Sequence, residues 1–263
     1  MKYEDTIVAY LVDIGITETQ IENIRRILLD KTVIEAYYEF EFEGLQAKLI
    51  KPNCKPNGKW LLKAEYFDAF PETEIELLNR GWHLAYNQNH NRWAEDLDLQ
   101  RKSNFLRYIP ETFGLSQKCV LVGMSCGGLY SVKLTALNPE RIQGIYLDAP
   151  VMNLLSCPGN LGKGSGVPFE EYTHFTGRTL VDMLSYREHP IDKMHILAEH
   201  KIPIVMVAGD SDSVVPYDEN GALLERYYKQ CGLPIDVFIK EGADHHPHGL
   251  ENPCIVADII ETF

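Results

Sequence analysis

From Tyr38 to Leu49 apolar and polar side chains alternate, first as Tyr-Glu-Phe-Glu-Phe-Glu and then as Leu-Gln-Ala-Lys-Leu, with Gly44 between the two runs. Period two marks a half-buried strand, so "EAYYEFEFEG" and "LQAKLIKP" predict an antiparallel hairpin turning near Gly44. Upstream, Thr17-Glu18-Thr19-Gln20 has the form of a capping box, and Ile21, Ile24 and Leu28 share one helical face. Residues 1–32 therefore predict a helical opening segment. Beyond the hairpin the pattern changes to short continuous apolar runs separated by stretches of helical period. "KWLLKAEY" predicts a third strand. Helix and strand then alternate through "ETEIELLNRG", "WHLAYNQ", "WAEDLDLQRKSNFLRYI", "CVLVG", "GGLYSVKLTAL" and "GIYLDAP". After an irregular interval, "IPIVMVAGD", "ENGALLERYYKQ", "PIDVFIKEG" and "CIVADIIETF" repeat the alternation.

Strands that alternate with helices of this length call for a mostly parallel sheet covered on both faces and joined by right-handed crossovers. The opening hairpin adds antiparallel strands at one edge. Residues 151–190 break the alternation with the Gly/Pro-rich run "CPGNLGKGSGVP". Long intervals of this kind in compact domains tend to be lids or binding segments, so 151–190 is expected to be a small cap on a single domain spanning 1–263.

A chain of 263 residues with 45% hydrophobic and 24% charged side chains can bury roughly 75% of its unfolded surface and needs no disulfide staples. Its six cysteines form no CxxC pair, which fits free thiols in a reducing compartment, and the cytoplasm is the expected location. The formal net charge of -13 argues against nucleic acid or an anionic membrane surface as the main partner. The first twenty residues carry early acidic groups and no long apolar core, so neither a signal peptide nor a membrane span is expected. A small-molecule substrate is the remaining expectation.

The chemistry concentrates at Gly123-Met124-Ser125-Cys126-Gly127, a G-x-S-x-G turn between a buried-strand run and a helical run. A serine on such a turn projects its hydroxyl beyond the carboxyl ends of parallel strands, where ligands collect in these sheets. The crowding requires small residues two before and two after it, here Gly123 and Gly127. The helix N-terminus that follows offers the Cys126 N–H to a developing oxyanion. A serine hydroxyl is a weak nucleophile and needs an imidazole base oriented by a carboxylate, in the chain order Ser, acid, His. "VAGDSDSVVP" places Asp210 and Asp212 beyond a buried strand. Asp212 is preferred, because Val214-Val215-Pro216 can anchor the far side of the loop while Asp210 serves the turn. "VFIKEGADHHPHGL" places His245, His246 and His248 after the last strand. His245 is favoured as the base, with His246 the alternate. Asp244, His245, His246 and His248 are also zinc-type donors, but consecutive loop residues seldom point at one ion, and no CxxC or HExxH accompanies them, so no metal is expected. Cys126 is expected to pack away from the site.

These motifs in this order resemble the α/β-hydrolase superfamily. Within it the chain is similar to a bacterial group of serine hydrolases in "GKWLLKAEYF", in "YLDAPV" followed by a "CPG" turn, in "HPID", in "VVPYDEN" and in the "HHPHGL" histidine loop. The resemblance implies an eight-stranded α/β-hydrolase fold, a Ser125-His245-Asp212 triad, no cofactor, and cleavage of an ester or related acyl bond through an acyl-enzyme. It also implies a second oxyanion donor just after the third strand, which places that role on the Glu65 N–H. The Gly-Ala-Asp approach to His245 is similar to the G-x-G-H lead-in of such enzymes, with Asp244 where a glycine is usual. A serine peptidase or acyltransferase, or a binding protein that keeps the fold without turnover, are the other readings.

Overall fold

The structure, a computed structural model, describes residues 33–263; the helical segment expected within 1–32 lies outside the described residues. The alternating runs form β1 (Ile34–Phe42) and β2 (Leu45–Pro52), paired antiparallel with Phe42 opposite Leu45 around the Gly44 turn. Gly44 has φ +83°, a conformation that costs an L side chain and suits glycine. The short apolar runs form β3 (Trp60–Lys63), β4 (His83–Asn87), β5 (Cys119–Met124), β6 (Ile142–Asp148), β7 (Ile204–Gly209) and β8 (Asp236–Lys240).

All eight strands join one sheet in the order β1-β2-β4-β3-β5-β6-β7-β8. β2 meets β4 antiparallel, and every pairing from β4 through β8 is parallel. Charged residues mark both edges, Glu35, Glu39 and Glu41 on β1 and Asp236 and Lys240 on β8, which discourages pairing with another chain. Because the chain runs from β3 outward to β4 and then returns to β5 on the other side, the order reverses between β3 and β5. A crevice opens at such a reversal beyond the strand ends.

Eight helices cover the sheet among the described residues: α1 (Glu72–Asn79), α2 (Asp96–Phe113), α3 (Cys126–Leu137), α4 (Phe169–Thr176), α5 (Leu180–Ser185), α6 (Pro190–Glu199), α7 (Gly221–Gln230) and α8 (Cys254–Glu261). Alternate residues of β5 serve two cores. Cys119 and Leu121 face the side of α2, α3 and α6, whereas Val120, Val122 and Met124 face Leu77 and Leu78 of α1 and Val256 and Ile260 of α8. This two-sided burial explains why the parallel strands read as continuous apolar runs instead of alternating ones. Helix α3 is buried from Cys126 through Thr135, because it lies between α2 and α6 on the face of the sheet.

Residues 151–190 hold α4 and α5 and begin with a turn-rich stretch. Two ion pairs tie these helices to the loop that leaves β4: Arg92 grips Glu171 through both carboxylate oxygens, and Arg178 meets Glu95 at 2.7 Å. Trp93 packs edge-on against Tyr172 between them. Helix α6 departs from the expected pattern; it begins with the His189 N–H donating to the Asp192 carboxylate at 3.1 Å and a proline in the first turn.

Candidate active site

Ser125 occupies the turn between β5 and α3 with φ +49° and ψ -118°, a strained conformation for a residue bearing a Cβ. Such strain costs on the order of 1–3 kcal/mol and persists only where the surroundings over-determine it. Three backbone bonds do so: the Ser125 N–H donates to Asp148 O at 2.9 Å, and the Ser125 carbonyl accepts from Gly128 N and Val151 N, each at 2.9 Å. A Cβ at Gly123 would lie 2.6 Å from Gly127 O, so that glycine is required. On the far side the crowding falls on Gly128, whose added Cβ would lie 2.8 Å from the Pro150 Cα; at Gly127 the nearest atom is 3.5 Å away, ordinary contact.

A paired test follows. Alanine at Gly128 gains about 1 kcal/mol of helix propensity and meets a fixed proline ring, an overpacking cost of about 1–3 kcal/mol or more. Gly128→Ala is therefore expected to lower Tm by several degrees and to depress activity by moving the turn, while Gly127→Ala leaves Tm unchanged or slightly raised. Thermal unfolding of the two variants measures the difference.

The acid and histidine loops follow adjacent parallel strands, β7 and β8, and so emerge side by side. Asp212 Oδ1 accepts from the Val214 and Val215 N–H groups at 2.9 and 2.7 Å, leaving Oδ2 facing His245 Nδ1 at 2.7 Å. His245 Nε2 lies 3.1 Å from Ser125 Oγ. Ser125, His245 and Asp212 are all buried, at 5, 3 and 6% exposure, so water screens this chain of contacts little. His246 is turned elsewhere, its ring stacked on Phe70. Burial, reinforced by the neighbouring His248 and His245, pushes its pKa down to about 3.

Asp210 serves the turn as expected and reaches further, its carboxylate accepting from Ser211 Oγ and from Gly242 N of the histidine loop at 2.8 Å. Asp244 does the same from the other side, accepting from Ser213 N at 2.8 Å, Ser213 Oγ at 3.0 Å and His245 N at 2.8 Å. These bonds, the Ser213 N–H first among them, hold its carboxyl below the ordinary range despite partial burial. The Asp244 side chain thus laces the acid loop to the base loop.

The Glu65 backbone follows β3 and lies against the start of α3, where a Cβ built on Gly127 would be 3.6 Å from Glu65 N. Its carboxylate turns away into a fully buried group with Asn89, whose Nδ2 also donates to Ala64 O at 3.0 Å. Burial raises the Glu65 carboxyl pKa, opposed by the Asn89 bond and by Lys102, itself lowered by burial to about 8. Cys126 is buried beside the serine, and burial pushes its thiol up to about 11, so it remains a thiol at neutral pH.

Two groups at the site had no place in the sequence reading. Asp148, at the end of β6, accepts from His248 Nδ1 at 2.7 Å, Gly249 N at 2.6 Å and Tyr146 Oη at 3.0 Å. Its signal was an acid at the carboxyl end of a buried strand, in "YLDAPV". Glu219, in a 3-10 turn before α7, holds 156–163 in place by accepting from Ser156 Oγ at 2.6 Å and Lys163 N at 2.8 Å. The three histidines of the loop also converge more than consecutive residues were expected to, each offering a ligand atom within 4.8 Å of the others.

The α/β-hydrolase fold here carries a strained serine at the sheet's reversal point, against a buried imidazole and carboxylate. Residues 88–254 match the prolyl oligopeptidase family, and the chain belongs to that family. The sequence likeness to solved structures is low while the fold likeness is extensive. Puromycin hydrolase, in its S511A mutant, aligns at 15% identity and TM-score 0.64 over 86% of this chain and 37% of its own. The Pyrococcus horikoshii acylaminoacyl peptidase aligns at 13% identity and TM-score 0.63, over 84% of this chain and 39% of that one. A truncated carbohydrate esterase from gut microbiota aligns at 13% identity and TM-score 0.65, over 88% of this chain and 97% of that one. The chain thus spans little more than a third of the length of those first two proteins. No helix among the described residues is long and apolar enough to cross a membrane.

Proposed function

We propose that the protein cleaves a carboxylic ester through a covalent acyl-serine. The observation that carries the reading is the unbroken line from Ser125 Oγ through His245 to Asp212. His245 Nε2 takes the hydroxyl proton as Ser125 Oγ bonds to the ester carbonyl carbon. Asp212 stabilises the imidazolium through Nδ1–H, and the Cys126 and Glu65 N–H groups receive the oxyanion. Collapse of the tetrahedral adduct expels the alkoxide, which takes the proton from His245. Water, deprotonated by the same imidazole, then releases the acid and restores the serine. No step calls for a cofactor.

Support for an ester over an amide comes from the likeness to the carbohydrate esterase along nearly the whole of both chains. Membership of the prolyl oligopeptidase family supports a second reading, a serine peptidase. The two are separated by kcat/KM on a p-nitrophenyl ester and a p-nitroanilide of the same acyl group. An ester preference of only about tenfold, against the larger margin expected of a site that does not protonate an amine well, would favour the peptidase.

The cap is expected to govern which acyl group enters. Since Glu219 holds 156–163 beside the acid loop, Glu219→Ala should change KM and the preferred acyl length across an ester panel several-fold. Its rate on an acetate ester should stay within a few-fold of the parent. An unchanged preference would place the segment outside the substrate's reach.

A further inference from the structure

The histidine loop holds more imidazole than hydrolysis uses. We infer that His245, His246 and His248 form a binding site for a zinc-like divalent ion, and that occupation of this site reversibly inhibits the enzyme by taking the His245 lone pair away from Ser125.

The rings meet around a common point instead of stacking, with centroids 4.7, 5.0 and 4.8 Å apart and interplanar angles of 68, 78 and 88°. One nitrogen of each falls within 4.8 Å of the others. Tetrahedral zinc with bonds of about 2.0–2.1 Å holds its nitrogens about 3.3 Å apart, so the widest pair needs to close by roughly 1.5 Å. Binding the ion must draw the rings together by that amount.

The surroundings of two of the rings are those of metal-ligating histidines. Asp212 engages His245 Nδ1 and Asp148 engages His248 Nδ1, each at 2.7 Å. A carboxylate on Nδ1 fixes the tautomer, leaves Nε2 as the donor atom and raises its basicity toward a metal. His246 adds a third imidazole, its ring centroid 4.7 Å from that of His245 and 4.8 Å from that of His248. The two carboxylates offset the charge of a divalent ion. Ser125 Oγ lies 3.1 Å from His245 Nε2, and it or a solvent molecule would complete a fourth position.

Inhibition follows from atom counting. His245 Nε2 has one lone pair, and a bound ion uses the pair that accepts the Ser125 proton. Borderline-soft ions with a taste for imidazole should act, whereas Mg²⁺ and Ca²⁺, which prefer oxygen donors, should not.

The inhibition arm rests on the hydrolase reading, and a binding arm is independent of it. In the first, Zn²⁺ is titrated into an ester assay of the whole protein. Inhibition is expected at micromolar Zn²⁺, reversed by EDTA and absent with millimolar Mg²⁺ or Ca²⁺. His246→Ala should keep the parent's basal rate within a few-fold and raise the half-inhibiting Zn²⁺ concentration about tenfold or more, as loss of a ligand does. His246→Phe, which keeps a ring against Phe70, guards against a folding defect. In the second arm, Zn²⁺ should raise the Tm of the inactive Ser125→Ala protein and leave that of Ser125→Ala/His246→Phe unmoved. Equal inhibition of parent and both His246 variants, or no Tm shift in Ser125→Ala, would overturn the site. A Tm shift in a protein that hydrolyses nothing would keep the site and remove the hydrolase.

Discussion

Ser125→Ala is expected to reduce kcat on a p-nitrophenyl ester by at least about 10⁴-fold while the fold survives. Serine and alanine both carry a Cβ, so the strained φ of +49° is equally strained in either. The three backbone bonds that enforce it involve no side-chain atom. Only Oγ and its contact with His245 Nε2 are lost, and Tm should move by no more than a few degrees. What remains over water is expected to come from substrate binding and from the proposed oxyanion donors, the Cys126 and Glu65 N–H groups. A variant within tenfold of the parent would remove Ser125 from the chemistry.

The second large effect belongs to the proposed base. His245→Ala should cost about 10³-fold or more in kcat, and His246→Ala only a few-fold. Both rings are at least half-buried and adjacent in sequence, so loss of packing alone would penalise the two alike. The difference lies in what each touches: His245 bridges Asp212 and Ser125, and His246 stacks on Phe70. Single-turnover measurements on both variants would show whether the loss lies in acylation. The reverse ranking would transfer the base to His246.

The parts of the fold legible in the sequence are those encoded within a dozen residues. Period-two alternation marked β1 and β2, and short apolar runs marked β3 to β8, of which β3 to β7 are buried on both faces. β3 nevertheless ends at Lys63, short of "KWLLKAEY", since the backbone must leave the ladder after Ala64 to bring Glu65 to the crevice. Helix α6 was missed because its buried residues are few, Pro190 and Leu197, and much of its surface is solvated. At the site, the G-x-S-x-G turn, the acid after β7 and the histidines after β8 were each visible locally. Their meeting depends on strand order, which places β5 near β7 and β8 only in three dimensions. The same reason hid the bond from Asp148 to His248, a hundred residues apart, and the choice of Gly128 over Gly127 as the crowded position, which depends on where Pro150 returns.

Asp148 has a mechanical consequence. Its carbonyl oxygen fixes the Ser125 amide, and its carboxylate fixes His248 and Gly249, so the serine and the base loop are both referred to one short piece of β6. The acid is mounted differently, on a loop whose neighbours Ser213 and Glu219 are tied to Ser165, Ser156 and Lys163 of the cap. A displacement of residues 156–165 therefore reaches Asp212 through Ser213 and, by way of the Asp244 carboxylate shared between Ser213 N and His245 N, reaches the imidazole as well. The histidine loop is strung between two anchors, β6 on one side and the acid loop on the other. Changes of sequence in 151–190 would shift the balance between those anchors, and with it the reach of His245 toward Ser125.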